Sequence, residues 1–229
     1  MKNLIKLFKY LLTGQFSKLL SATSERIPPS VYRYAKAYAF EKEKISQALG
    51  SEQTMSTPSD FVFRLLKKED LPACSKLSGI PLKECFRRYD AGDFCLGAFY
   101  RDKLASFGWV HQGSFYVKGM GYYQESDENI GYLYSGLSDP SYSGRGLFKN
   151  LIYMRCRVLF EKGSSKVISI AMSNNKIALN THLRTGFRKT KTISHLTIFG
   201  VKYTAVEDAV SKHVDRKIFV RIPKGIYVI

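Results

Sequence analysis

The stretch SYSGRGLFKN, from Ser141 to Asn150, sets two glycines around an arginine and runs into an apolar, helix-patterned segment, LFKNLIYMRCRVLF. Glycine lets a backbone come close to a partner. A helix N-terminus offers unpaired N–H groups and a partial positive charge. Together they make a seat for phosphate. The plainer alternative is a glycine turn before an ordinary helix. A second run, NNKIALNTHLRTGF, carries Asn175, Ala178 and His182 ahead of Gly186-Phe187. A histidine can serve as a general acid near neutral pH. It can equally be a packed or surface residue. No G-x-S-x-G nucleophile motif occurs, which favours direct group transfer over a covalent acyl-enzyme.

The elements around these runs set their context. FVFRLL, from Phe61, is a short strand, and KKEDLPACSKLSG a helix with Glu69 and Asp70 in its first turn. PLKECFRRYDAG is a second helix that stops at Gly92. DFCLGAFY and LASFGWVH are strands joined by RDK, a hairpin signal. A polar and aromatic stretch follows, then the strand IGYLYSGLS, which leads into the glycine turn. VISIAM is an apolar strand between the two chemistry-bearing helices. KTISHLTIFG and KIFVRI complete a mixed α/β sheet.

The first 60 residues read differently. Leu4, Ile5, Phe8, Leu11 and Leu12 recur at helical spacing, with Lys2, Lys6 and Lys9 toward the other side and Lys18 further on. Residues 2–20 therefore fit a basic amphipathic helix on an anionic membrane surface, or one packed on the domain or in a homodimer contact. GSEQTMSTPSD, ending at Asp60, reads as a linker. The expected division is 1–60, helical extension and linker, and 61–229, catalytic domain.

Composition narrows the partners. Of 229 residues, 36 are Lys or Arg and 19 Asp or Glu, giving +17. An acidic partner follows: nucleic acid, an anionic membrane or a polyphosphate. No helix-turn-helix, zinc or RNA-recognition signature supports nucleic acid. The four cysteines form no C-x-x-C pair, so no metal is expected. The expected setting is cytoplasmic, including the inner membrane face.

The element order and two spaced signatures resemble the GNAT family of N-acetyltransferases, over roughly Phe61 to Ile222. The family opens a helix with Gln or Arg, then x-x-G-x-G/A. Here Ser143, Gly144, Arg145, Gly146, Leu147 and Phe148 fill those places. Gly146 matches the required glycine, while Ser143 and Phe148 depart from the pattern. The resemblance implies that this turn holds the diphosphate of acyl coenzyme A. It also implies that the strand edge ending at Leu137 pairs with the pantetheine arm, that Asn175 bonds that arm and that Ala178 gives it room. His182 stands where the family usually has a tyrosine that protonates the departing thiolate. The family's general base often is a Glu on or near the strand before the turn. IGYLYSGLS has none, so Glu128 or Asp127, just upstream, is the expected base. The implied reaction is transfer from acetyl coenzyme A to a small-molecule or sugar amine, such as an amino sugar of a surface polysaccharide precursor. A longer acyl or aminoacyl donor, or coenzyme A binding without catalysis, are the alternatives.

Overall fold

The computed structural model describes residues 32–44, 60–126, 129–218 and 226–229. Within them a nine-stranded mixed sheet forms the frame. Its strands are β1 (Tyr32–Glu43), β2 (Phe61–Leu65), β3 (Phe94–Tyr100), β4 (Lys103–Gln112), β7 (Ile130–Ser138), β8 (Lys166–Met172), β9 (Arg188–Ile198), β10 (Val201–Asp208) and β11 (Val214–Ile218). The order across the sheet is β11-β10-β9-β1-β8-β7-β4-β3-β2. A small second sheet holds β5 (Phe115–Val117), β6 (Tyr122–Gln124) and β12 (Tyr227–Val228). The polar and aromatic stretch of the sequence thus contains β5 and β6, turning through Gly121 at φ +56°.

Helices α1 (Leu71–Ser78) and α2 (Leu82–Asp90) cover one face of the large sheet; α3 (Leu147–Glu161) and α4 (Lys176–Arg184) cover the other. The first face buries Trp109, Phe107, Tyr132 and Tyr134 with Leu71, Cys74 and Cys85. The second buries Leu133, Val110 and Val167 under Leu151, Ile152, Cys156 and Leu159. Removing each such side chain from water stabilises the fold by about 1.5–3 kcal/mol. All four cysteines are buried and free.

Strand β1 corrects the expected domain division. It lies inside the span read as a helical extension, yet it is an inner strand of the sheet. It pairs antiparallel with β8 on one edge and with β9 on the other. Its alternation explains the placement: Ala35, Ala37 and Ala39 are buried on one face, while Lys36 and Tyr38 point to the other. Small side chains there leave room for Phe115 and Tyr122 of the second sheet and for Met120 in the turn between them, which pack in the same cluster. The catalytic domain therefore begins no later than Tyr32. Residues 2–20 and the expected linker up to 59 lie outside the described residues.

A chain beginning at Asp60 would strip β8 and β9 of a shared partner and leave two unpaired edges in the middle of the sheet. It is expected to lose cooperative thermal unfolding by circular dichroism. A cooperative melt close to that of the full chain would show β1 to be dispensable.

Candidate active site

Strands β7 and β8 run parallel, but they pair only from Ile130–Lys166 to Leu133–Ser169. Beyond that rung β7 continues to Ser138 and β8 to Met172 with no pairing between them. The strands open into a V. On its other edge β7 stays bonded to β4, through an irregularity that sets Phe107 opposite Leu137 and Trp109 opposite Tyr134. Ser135 carries the strain of that bulge at φ +44°. Gly136, next along, has no room for a side chain: a Cβ there would lie 2.9 Å from the Phe148 ring and 3.3 Å from the Arg155 guanidinium. Leu137, Met172 and Ile177 are exposed apolar side chains on the elements that frame the opening.

Arg155 itself is buried, and burial draws its pKa down to about 10, so it stays charged at neutral pH. Its Nε donates to Leu151 O at 3.3 Å. A Cβ on Gly108 would also collide with the guanidinium, at 2.4 Å from Nη1. Glycines on two adjacent strands thus admit one cation from α3 beneath the bulge.

The glycine turn sits at the open end. Asp139 accepts a hydrogen bond from Ser141 N–H at 2.8 Å and fixes a short 3-10 turn, Pro140–Tyr142. Ser143 N–H closes that turn on Pro140 O. Gly144 and Gly146 then take left-handed conformations, φ +78° and +71°. A Cβ on either would meet nothing within 4 Å, so the space in front of both is open. Leu147 begins α3 and is buried with Phe61, Ala98 and Ala105, so its side chain is core. Its N–H and those of Phe148 and Lys149 have no carbonyl one turn back. Arg145 and Lys149 are exposed cations beside them.

On α4, Asn175 is first a cap: its Oδ1 accepts from Ala178 N–H at 3.0 Å. That leaves its NH₂ group as a donor. Ala178 is buried and hands its carbonyl to His182 Nδ1, at 2.6 Å. Since a carbonyl can only accept, Nδ1 carries the proton, and Nε2 accepts from Ser169 Oγ at 2.8 Å. Phe40 stacks on the imidazole at 5.2 Å, and Phe187 and Phe148 meet it edge-on at 5.3 and 6.4 Å. Burial pushes its pKa down to about 4, and the Arg155 charge acts in the same direction. The ring is therefore neutral at pH 7, with both nitrogens engaged inside the fold. This environment suits a packing role far better than proton donation to a thiolate. Two of the three departures from the family pattern, Phe148 and His182, meet ring edge to ring face.

Asp127 and Glu128 lie outside the described residues. The fold also assembles a group whose members lie far apart in the sequence. Asp93 is buried at the head of β3, with Oδ1 2.7 Å from His111 Nδ1 and Oδ2 accepting from Tyr134 OH. Tyr227 stacks on His111 at 4.3 Å. The signal for it was the hairpin register, which sets Phe94 opposite Val110 and so brings Asp93 beside His111.

The buried histidines make stability depend on pH. Burial also lowers His195 to about 4; its Nδ1 and Nε2 contact Thr204 and Thr197 hydroxyls. The unfolded chain protonates near 6.5, whereas the folded chain resists until about 4. Stability is thus complete above 6.5 and lost as pH falls toward 4, by on the order of 3 kcal/mol per histidine at most. Denaturant unfolding is expected to weaken between pH 7 and 5, with a shallower slope in His182→Gln. A flat profile in that window would contradict buried neutral imidazoles.

A family model described as the acetyltransferase (GNAT) family matches residues 60–187. No curated protein matches the chain. Among solved structures, a GNAT-family protein of Novosphingobium aromaticivorans superposes with TM-score 0.52 at 16% identity, over 73% of this chain and 67% of that one. A Drosophila protein gives TM-score 0.52 at 16% identity, over 81% of this chain and 58% of that one. The aminoglycoside N-acetyltransferase AAC(6')-Iy in complex with CoA gives TM-score 0.48 at 22% identity, over 56% and 92%. The V between β7 and β8, the glycine turn that follows β7 and the family match agree: the chain belongs to the GNAT acetyltransferase family.

Proposed function

We propose that the chain transfers an acyl group from acyl coenzyme A to an amine, and that the V between β7 and β8 receives the coenzyme. The observation that carries this is the unpaired β7 edge after Leu133, ending at two left-handed glycines and a helix N-terminus. The residues fit such a guest. Gly144 and Gly146 have open space in front of them, where backbone N–H groups at the start of α3 can hold a diphosphate. Ser143 and Arg145 flank those N–H groups, and the Lys149 cation lies one turn on. The edge from Tyr134 to Leu137 offers N–H and C=O groups to an amide-bearing arm, with Leu137, Met172 and Ile177 for its methylenes. Asn175 has an NH₂ donor to spare. Bound there, the coenzyme supplies an activated thioester and a thiol leaving group.

A thiol of pKa about 8.5 leaves with modest help. With His182 neutral and engaged, we assign its proton to water or to a tyrosine hydroxyl of the cleft rather than to the imidazole. For the acceptor we favour an amino sugar of a surface polysaccharide precursor at the membrane. The support is topological. Tyr32 pairs with Ile198, next to exposed Phe199 and Val201 at the same end of the sheet as the mouth of the V. The segment bearing Lys2, Lys6, Lys9 and Lys18 joins the fold there, and would hold the mouth toward anionic lipid.

Asn175→Asp separates cap from ligand. It keeps the oxygen that caps α4 and removes only the NH₂ donor. Its melting temperature is expected to stay at the wild-type value, while calorimetry shows several-fold weaker coenzyme A binding, consistent with a bond of about 0.5–1.5 kcal/mol. Equal affinity in both proteins would remove Asn175 from the site.

The lysines at 2, 6, 9 and 18 should each favour an anionic surface by roughly 1 kcal/mol. The full chain is expected to float with phosphatidylserine vesicles at low salt, and a variant with all four changed to Gln to remain in solution. Equal flotation of the two would end the membrane part of the reading.

A further inference from the structure

The α1–α2 face of the cleft holds a network that the coenzyme seat does not use. Asp93 sits at its centre, buried against His111 and the Tyr134 hydroxyl. Tyr134 is the first β7 residue past the last rung shared with β8, so it stands where the V begins. Its hydroxyl lies 3.4 Å from that of Tyr227, which is only half-buried and stacks on the imidazole. His111 Nε2 lies 3.3 Å from Ser114 O, a carbonyl that accepts a hydrogen bond when that nitrogen carries a proton.

The charged neighbours leave this carboxylate available. Arg87 and Arg88 of α2 lie over Tyr227 and Tyr134 respectively. Both donate to Glu84, at 2.7 and 2.9 Å; Arg87 also bonds Val228 O and Arg88 Ser135 Oγ, each at 3.1 Å. Glu84, with its pKa drawn down to about 2 chiefly by Arg87, is therefore occupied. Asp93 is met by hydroxyls and an imidazole instead. Burial and the Asp93 charge hold both tyrosines above their ordinary pKa, so their hydroxyls remain protonated and able to relay.

An ammonium acceptor must lose a proton before its nitrogen can attack. Resting on the acyltransfer reading above, we propose that the Asp93–His111 pair takes that proton, carried by the hydroxyls of Tyr227 and Tyr134. The step balances. The ammonium gives one proton to the Tyr227 oxygen as Tyr227 passes its own to Tyr134 and Tyr134 passes its own to Asp93. The pair gains the one proton that the ammonium loses. The amine keeps the electron pair that forms the new C–N bond. General-base assistance of this kind is worth roughly 10²–10⁴-fold.

The test uses the full chain, acetyl coenzyme A as donor, and glucosamine or water as acceptor, with thiol release as the rate and calorimetry for coenzyme A affinity. Asp93→Asn keeps the shape of the network and removes its charge. It is expected to lower kcat/KM by roughly 10²–10⁴-fold, to flatten the rise of rate with pH, and to leave coenzyme A affinity unchanged. Tyr134→Phe, which keeps the ring, should lower kcat less and leave KM for the donor as it was. A purely structural role would lower stability without changing the pH profile. Wild-type pH dependence retained in Asp93→Asn would overturn the inference. So would a wild-type chain that binds coenzyme A but releases thiol to neither acceptor. A wild-type chain that does not bind coenzyme A would overturn the acyltransfer reading itself.

Discussion

The architecture depends on one separation: β7 and β8 must part after Leu133 and Ser169 and stay parted. Parallel strands left to themselves would continue their ladder, since every unpaired N–H and C=O inside a sheet is costly. Three features hold the V open. On the β7 side, the bulge at Ser135 bends the strand, and Phe148 and Arg155 press on Gly136 from below. On the β8 side, β1 takes the outer edge over Ala37–Glu43 and fixes the strand against β9. At the vertex, Ser169 Oγ meets His182, which α4 anchors through Ala178. An arginine buried with no carboxylate partner among the described residues would be an expensive way to pack a helix on a sheet. Beneath a bulge that two glycines leave room for, it gives β7 a rigid support.

Phe148 and His182 make sense as a unit. In the family pattern the first position is small and the second a tyrosine. Here Phe148 puts aromatic bulk on α3, and the imidazole of His182 lies inward among Phe40, Phe148 and Phe187. The consequence is chemical. A hydroxyl that could reach a leaving group is replaced by a neutral ring whose single N–H is committed to a backbone carbonyl. The ionisable groups next to the V then lie on its other face, around Asp93.

The parts legible in the sequence are those with local patterns. The glycine turn, the apolar stripe of α3 and the alternation of β7 are written in contiguous residues. Strand β1 was readable in principle, because Ala35, Ala37 and Ala39 alternate with larger residues. Its partners β8 and β9, however, lie more than a hundred residues away, and nothing local says that a strand will be inserted between them. The Asp93–His111 pair needs the β3–β4 register, including its shift at Ala98/Phe99, before the two residues fall side by side. The state of His182 could not be read at all without tertiary contacts: its neutrality comes from rings contributed by β1, α3 and the residue just before β9.

The most direct measurement is amide hydrogen exchange of the full chain with and without coenzyme A. If the V is the coenzyme seat, exchange slows at two separate stretches, Tyr134 to Leu137 and Gly144 to Lys149, while the cleft lined by Tyr122, Gln124, Lys191 and His213 is unaffected. Protection absent from both stretches, or confined to that other cleft, would contradict the account.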